Sequence, residues 1–95
     1  MKGYVIFLED VHDAEQFEQY KLMSPTSIKH YGGEFLVRGG EMEVLEGAFN
    51  SERIVVLQFP TPAAAKAWYE SEEYADAKDL RLKISTGTAI IVAGV

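Results

Sequence analysis

A chain of 95 residues with a net charge of −6 and no cysteine is one domain by length, without disulfides, a thiolate nucleophile or a cysteine-held zinc. The acidic balance, with no run of Lys or Arg, argues against a phosphate-tracking nucleic-acid surface. Apolar and aromatic residues make up 47%, which is rich for a domain that buries only roughly 60–65% of the surface its unfolded chain exposes, so part of that apolar surface is expected to meet a partner.

The opening MKGYVIFLED has an apolar run too short for a signal sequence, and no later stretch reaches membrane-spanning length. A cytoplasmic protein with no membrane contact is expected. Tyr4–Leu8 is a β-branched and aromatic run, predicting a strand apolar on both faces. Asp13, with Gln16 three residues on, reads as a helix N-cap, and Phe17 and Tyr20 then share one face. Ser24-Pro25 has the cap-then-N1 pattern and Gly32 the look of a C′ stop, so the first helix is expected in two pieces.

Glu34–Arg38 and Met42–Glu46 both look like short strands, with Gly39-Gly40 as a bulge or bend between them. Residues 47–52 make a turn into the strand Arg53–Phe59. Thr61-Pro62 repeats the N-cap and N1 signature ahead of Ala63–Tyr69, and Ser71 caps a further helix through Tyr74, Ala77 and Arg81. Thr88–Ala93 is the last strand. The order β-α-β-β-α-β is the split βαβ, ferredoxin-like arrangement, an α+β fold with an antiparallel sheet whose first and third strands are central. One domain over residues 1–95 accounts for the chain.

The central strands lack the polar alternation expected of an antiparallel sheet with one wet face. With helices on one side, the other is expected to present on the order of 400–600 Å² of apolar surface, more than monomers usually expose. At about 25 cal/mol per Å², covering it is worth roughly 10 kcal/mol per subunit before association costs. A homodimer packed through the sheet face is the expected assembly.

The glycine-rich stretch YGGEFLVRGGEMEVLEG leads from strand to strand, not from strand to helix, and holds neither phosphate-loop pattern. It is read as a bend, not a nucleotide cradle. Followed by RIVVLQFPTPAAAKAWYESEEYADAKDLR, it resembles the family catalogued as domain of unknown function 1330, within the dimeric α/β-barrel superfamily of ferredoxin-like domains. The resemblance spans nearly the whole chain. It rests on the Gly-Gly-x-x-x-x-Arg-Gly-Gly run, Glu46-Gly47, Arg53, Phe59-Pro60, Ala67-Trp68-Tyr69, Tyr74 and Arg81. It implies a sheet-to-sheet dimeric α/β barrel and no particular reaction; relatives in the superfamily include cofactor-free monooxygenases, muconolactone isomerases and stress-responsive proteins. The chain departs from the family's habit at Thr61-Pro62-Ala63-Ala64, where a Ser and an acidic residue are common.

The candidate site residues follow from chemistry. In the strand Glu34–Arg38, Phe35 and Val37 share one face and Glu34, Leu36 and Arg38 the other, and a guanidinium beside an apolar neighbour needs a planar acceptor. That acceptor is either Glu46 or Glu34, in an ion pair that fixes the bend, or the carboxylate or oxyanion of a ligand. His30, near a helix C-terminus, is either a dipole-compensating surface residue or a candidate acid or base. Trp68 is read as core packing or as the wall of a flat pocket for an aromatic ligand, with the phenols of Tyr20, Tyr31 and Tyr74 in the same layer. Arg53 and Arg81 are expected in ion pairs. Two histidines eighteen positions apart make no helical metal pair, and no cofactor motif is present. Three functions fit: a cofactor-free enzyme using His30 and Arg38 on a small aromatic or lactone-like molecule, a dimer that binds a small apolar molecule without chemistry, and a purely structural dimer.

Overall fold

The computed structural model describes all residues, 1–95. Its elements are β1 (Gly3–Val11), α1 (Ala14–His30), β2 (Glu34–Arg38), β3 (Arg53–Phe59), α2 (Pro62–Tyr69), α3 (Glu72–Ile84) and β4 (Ser85–Ala93). All three helix starts use the side chains the sequence offers. Asp13 accepts from the Gln16 amide at 3.0 Å, Thr61 from the Ala64 amide at 3.0 Å, and Ser71 from the Tyr74 amide at 3.2 Å. Each satisfies a donor that a helix terminus would otherwise leave unpaired.

The four strands form one antiparallel sheet in the order β2-β3-β1-β4, with β1 and β3 central. This is the ferredoxin-like arrangement, with the second helical region divided into α2 and α3 and the sheet open at both edges. Val5, Phe7 and Glu9 of β1 and Val55, Leu57 and Phe59 of β3 point under the helices and are buried. Trp68 fills the centre, wholly enclosed, with its ring centroid 4.1 Å from that of Tyr74 and its indole N–H donating to Ser27 Oγ at 3.0 Å.

No helix covers the opposite face. Register places Tyr4, Ile6 and Leu8 of β1, Ile54 and Val56 of β3, and Ile90 and Val92 of β4 on it. Seven apolar side chains side by side are the surface that the missing alternation predicted.

Three expectations change. First, α1 is continuous through Pro25 instead of broken there. Proline has no amide proton, so the carbonyl four residues earlier, Lys21 O, loses its helical donor; Arg38 Nη2 supplies one from outside the helix at 2.9 Å. Second, β2 carries an irregularity between Phe35 and Val37, so Phe35 pairs with Leu57 and Arg38 with Val55. The extra residue flips the end of the strand: Arg38 joins Phe35 on the helix-covered side, not Leu36. Third, Met42–Glu46 is not a strand, since β2 ends at Arg38 and the chain next enters the sheet at Arg53. The bend itself is at Gly39, whose φ of +70° lies in the left-handed region. The first and last strands also run longer than the sequence suggests, β1 to Val11 and β4 from Ser85.

Candidate functional site

Between α1 and the sheet lies a narrow cavity of about 20 Å³, lined by Phe7, Glu9, Phe17, Tyr20, Lys21, Ser24, Ile28, Phe35, Arg38, Arg53, Val55 and Leu57. In its closed form it has room for about one water. Its walls are aromatic and aliphatic, and its charges are one carboxylate against three cations.

Glu9 supplies the carboxylate. It sits on the helix-covered face of β1 because side chains alternate along the strand and Gly3, Val5 and Phe7 already point inward. It is only 3% exposed. Burial holds its carboxyl above the usual carboxylate range, while the guanidiniums of Arg81 and Arg53 act in the opposite sense. Arg53 Nε lies 3.5 Å from Glu9 Oε1, close enough for charge pairing and beyond hydrogen-bond reach, and that buried N–H has no hydrogen-bond partner. A buried donor left open at a cavity wall is exceptional in a folded protein.

Behind Glu9 a row of hydroxyls runs back into the core. Tyr20 and Tyr74 share a hydrogen bond of 2.7 Å between their oxygens. Arg81 donates from Nε to the Tyr74 oxygen at 3.2 Å and from Nη2 to the Tyr69 oxygen at 3.4 Å. Burial pushes the Tyr20 hydroxyl well above the ordinary tyrosine value and raises that of Tyr74 against the opposing pull of Arg81, so both stay neutral at physiological pH.

At the mouth, Arg38 packs its guanidinium over the Phe35 ring, 4.2 Å from the centroid, and reaches across to Lys21 O. No carboxylate lies within ion-pair distance of it; the three charge pairs of the chain are Lys21–Glu18, His30–Glu73 and Arg53–Glu9. The ion pair with Glu46 or Glu34 is therefore absent, and a backbone carbonyl and an aromatic face hold Arg38 instead. One hydrogen bond leaves most of its donors free.

The residues singled out from sequence divide into three groups. Arg38 and Tyr20 line the cavity, and Tyr74 stands directly behind Tyr20. Trp68 belongs to the core beneath Tyr74 and does not reach the cavity wall. His30 is on the outer surface, its side chain 68% exposed and hydrogen-bonded to Glu73, whose other oxygen accepts from the Tyr31 hydroxyl at 3.4 Å. His30 and Arg38 thus do not share a site. Glu9, the most buried charge, lies outside the apolar run Tyr4–Leu8 by which the sequence marks the first strand; continuing the inward series Gly3, Val5, Phe7 by one step reaches it.

No group of three His, Asp or Glu side chains is arranged to hold a metal ion, and no helix is long and apolar enough to cross a membrane. The fold and the charged cleft define a ferredoxin-like α+β domain with an internal polar centre. Over residues 2–95 the chain matches, and belongs to, the family described as Domain of unknown function (DUF1330). No curated protein sequence matches it.

Solved structures share the fold at low identity. A protein of unknown function from Rhodopseudomonas palustris superposes with a TM-score of 0.78 at 16% identity, over 99% of this chain and 82% of that one. A dimeric ferredoxin-like protein of unknown function from Thermobifida fusca gives 0.60 at 16% identity, over 99% and 92%. A Nitrosomonas europaea protein described provisionally as an antibiotic biosynthesis monooxygenase gives 0.60 at 19% identity, over 100% and 99%.

Proposed function

We propose that the protein is a homodimer closed sheet to sheet into an α/β barrel, and that each subunit's α1–sheet cleft binds a small molecule and moves a proton on it without a cofactor. The observation that carries the reading is Glu9: a carboxylate almost entirely buried, on the wall of a cavity, with its proton affinity raised above the ordinary carboxylate value by burial. A general base works best when its pKa lies near the working pH, and burial is the usual means of raising a carboxylate.

The substrate class follows from the lining. Once the cleft opens beyond the one-water volume of its closed form, Phe17, Phe35 and Val55 offer an apolar wall to a substrate body, and the open donors of Arg38 and Arg53 suit a carbonyl or carboxylate oxygen. Glu9 takes a proton from the carbon next to a carbonyl, and the electron pair moves onto the carbonyl oxygen as an enolate. The unpaired Arg53 N–H faces that developing charge. Glu9 then returns the proton to a different carbon, so the double bond shifts and no oxidant is consumed. For a substrate to enter, Arg38 must leave Lys21 O and swing outward.

The dimer reading is supported by the apolar sheet face, by the implied barrel of the superfamily, and by the dimer described for the Thermobifida fusca neighbour. The chemistry is tested by incubating the protein in heavy water with a panel of small cyclic ketones, lactones and unsaturated aromatic acids, following carbon-bound hydrogen exchange by proton NMR. Wild type is expected to wash deuterium into at least one panel member, Glu9→Gln to lose that activity while staying folded, and His30→Ala to keep it. Exchange that survives in Glu9→Gln, or no exchange and no thermal stabilisation by any compound, overturns the assignment.

A further inference from the structure

Two parts of this chain lack partners, and they lie at opposite margins of the sheet. The first is the segment 40–51 between β2 and β3. It is tied at its start by Gly39 N–H donating to Ile54 O at 2.9 Å and just past its end by the Glu52 N–H donating to Asp10 Oδ1 at 2.9 Å. Between those ties no residue makes a hydrogen bond, backbone or side chain, to any other part of the chain. Met42, Val44, Leu45 and Phe49 are exposed on it, Leu45 at 84%. A stretch with idle backbone groups and exposed apolar side chains is built to pair with something.

The second is the outer edge of β4. Its sequence STGTAIIVA has no charge and no proline across nine residues, and Ile90, Ile91 and Val92 remain 41–45% exposed. Proteins normally blunt such an edge with charge, proline, a bulge or a short strand. The other edge, β2, has those guards: five residues, Glu34 and Arg38, and the irregularity at Leu36. The β4 edge has none.

Within one chain the two lie apart, because β2 and β3 stand on one side of β1 and β4 on the other. Across a two-fold axis they can meet twice, since an isologous interface repeats each contact. We infer that in the dimer the 40–51 segment of each subunit lies along the β4 edge of its partner as an added strand, an inference that rests on the sheet-to-sheet dimer proposed above.

Reach, area and charge agree with this. Tied at both ends, residues 40–51 reach out about 20 Å as an extended loop, comparable with the roughly 19 Å width of a four-stranded sheet. Strands of five to nine residues tile only about 500 Å² per face, whereas a stable interface buries about 800 Å² on each partner. The added segment makes up that shortfall with its own apolar side chains. It is acidic, with Glu41, Glu43 and Glu46, and Lys66, which has no ion-pair partner, stands beside Ile90 and Ile91 over β4.

Hydrogen–deuterium exchange by mass spectrometry, run beside sedimentation velocity at the same concentrations, tests this. In the dimer, amides of 40–51 and of 85–93 are expected to exchange at least about tenfold slower than in the unpaired state, and to lose that protection together on dilution to monomer. Val44→Pro, which removes one donor, is expected to weaken the dimer by about tenfold or more and to deprotect 85–93. A sedimenting dimer in which 40–51 exchanges at the unprotected rate overturns this inference alone. A monomer at all concentrations overturns both this and the dimer reading.

Discussion

Adjacent glycines offer the sharpest test of how this site is held. Gly39 has a φ of +70°, and a methyl group placed on it would overlap the Arg53 guanidinium, with Cζ at 2.7 Å. At Gly40 nothing lies within 4 Å and the backbone is ordinary. Gly39→Ala places a side chain in the left-handed region at about 1–2 kcal/mol and forces Arg53 away from Glu9. Stranding one member of a buried charge pair costs at most about 3–5 kcal/mol. Here Arg81 remains near Glu9 and the Arg53 side chain is already 20% exposed, so about 1–2 kcal/mol is the expected share. The total, about 2–4 kcal/mol, lowers Tm by roughly 10–25 °C for a domain of this size. Gly40→Ala is expected to stay within about 0.5 kcal/mol of wild type or to gain slightly, because it restricts only the unfolded chain. Urea unfolding at one fixed protomer concentration, with m-values checked for constancy, reads both variants. Equal losses in the two would refute the placement of Arg53 beneath Gly39.

Four further outcomes follow. Because the folded pKa of Glu9 is raised above its ordinary 4.5, the native state binds that proton more tightly, and its stability falls as pH rises through the window from 4.5 up to the raised value. The Tm of wild type relative to Glu9→Gln is therefore expected to improve as pH is lowered from about 8 to about 4.5; a constant difference would show that Glu9 titrates normally. Trp68→Phe, which removes buried volume and the indole donor to Ser27, is expected to cost about 2–4 kcal/mol in urea unfolding while leaving ligand binding unchanged, as befits a core residue outside the cavity. Arg38→Met is expected to cost about 1 kcal/mol by orphaning Lys21 O, and Pro25→Ala, which restores the helical donor, is expected to erase most of that cost in a double-mutant cycle. His30→Ala is expected to change stability by no more than about 0.5 kcal/mol, since its partner Glu73 is a surface group, and to leave the cleft chemistry intact.

What the sequence reveals and what it hides divide by range. Caps are local: Asp13, Thr61 and Ser71 each bind an amide three residues on, and all three read correctly. The apolar double-sidedness of β1 and β3 is also local, and it announced the open face. The failures all depend on contacts far along the chain. Pro25 is a fair signal for a helix break, yet the helix runs through it, and the carbonyl it frees, Lys21 O, accepts from Arg38, thirteen positions later. The face of Arg38 is set by an irregular residue in β2 whose presence depends on pairing with β3. Met42–Glu46 has the composition of a strand but no neighbour in its own chain, and composition alone does not make a ladder. Tyr20 and Tyr74 could be placed in one layer, whereas Arg81, expected in an ion pair, instead donates to the phenol oxygens of Tyr74 and Tyr69, and Glu9 needed one more step of alternation than the apolar run suggested.

The polar centre is the least economical part of this small domain. Replacing a buried charge network by well-packed apolar residues is often neutral or stabilising by about 1–4 kcal/mol, and a chain of this length has little core from which to draw stability. Glu9, Arg53, Arg81 and the tyrosines Tyr20 and Tyr74 could in volume terms be leucine, methionine and phenylalanine. They are also incompletely matched to one another: Arg53 Nε has no hydrogen-bond partner, and Glu9 meets its cation only at 3.5 Å. A network kept for structural strength would close those contacts, because a half-satisfied polar cluster is worse than an apolar one. The unmet donor and the raised carboxyl both border the same small cavity, under a mouth held shut by one hydrogen bond from Arg38 to Lys21 O. That coincidence is the physical ground for siting the proposed chemistry there and not at His30, whose surface pairing has no cavity beside it.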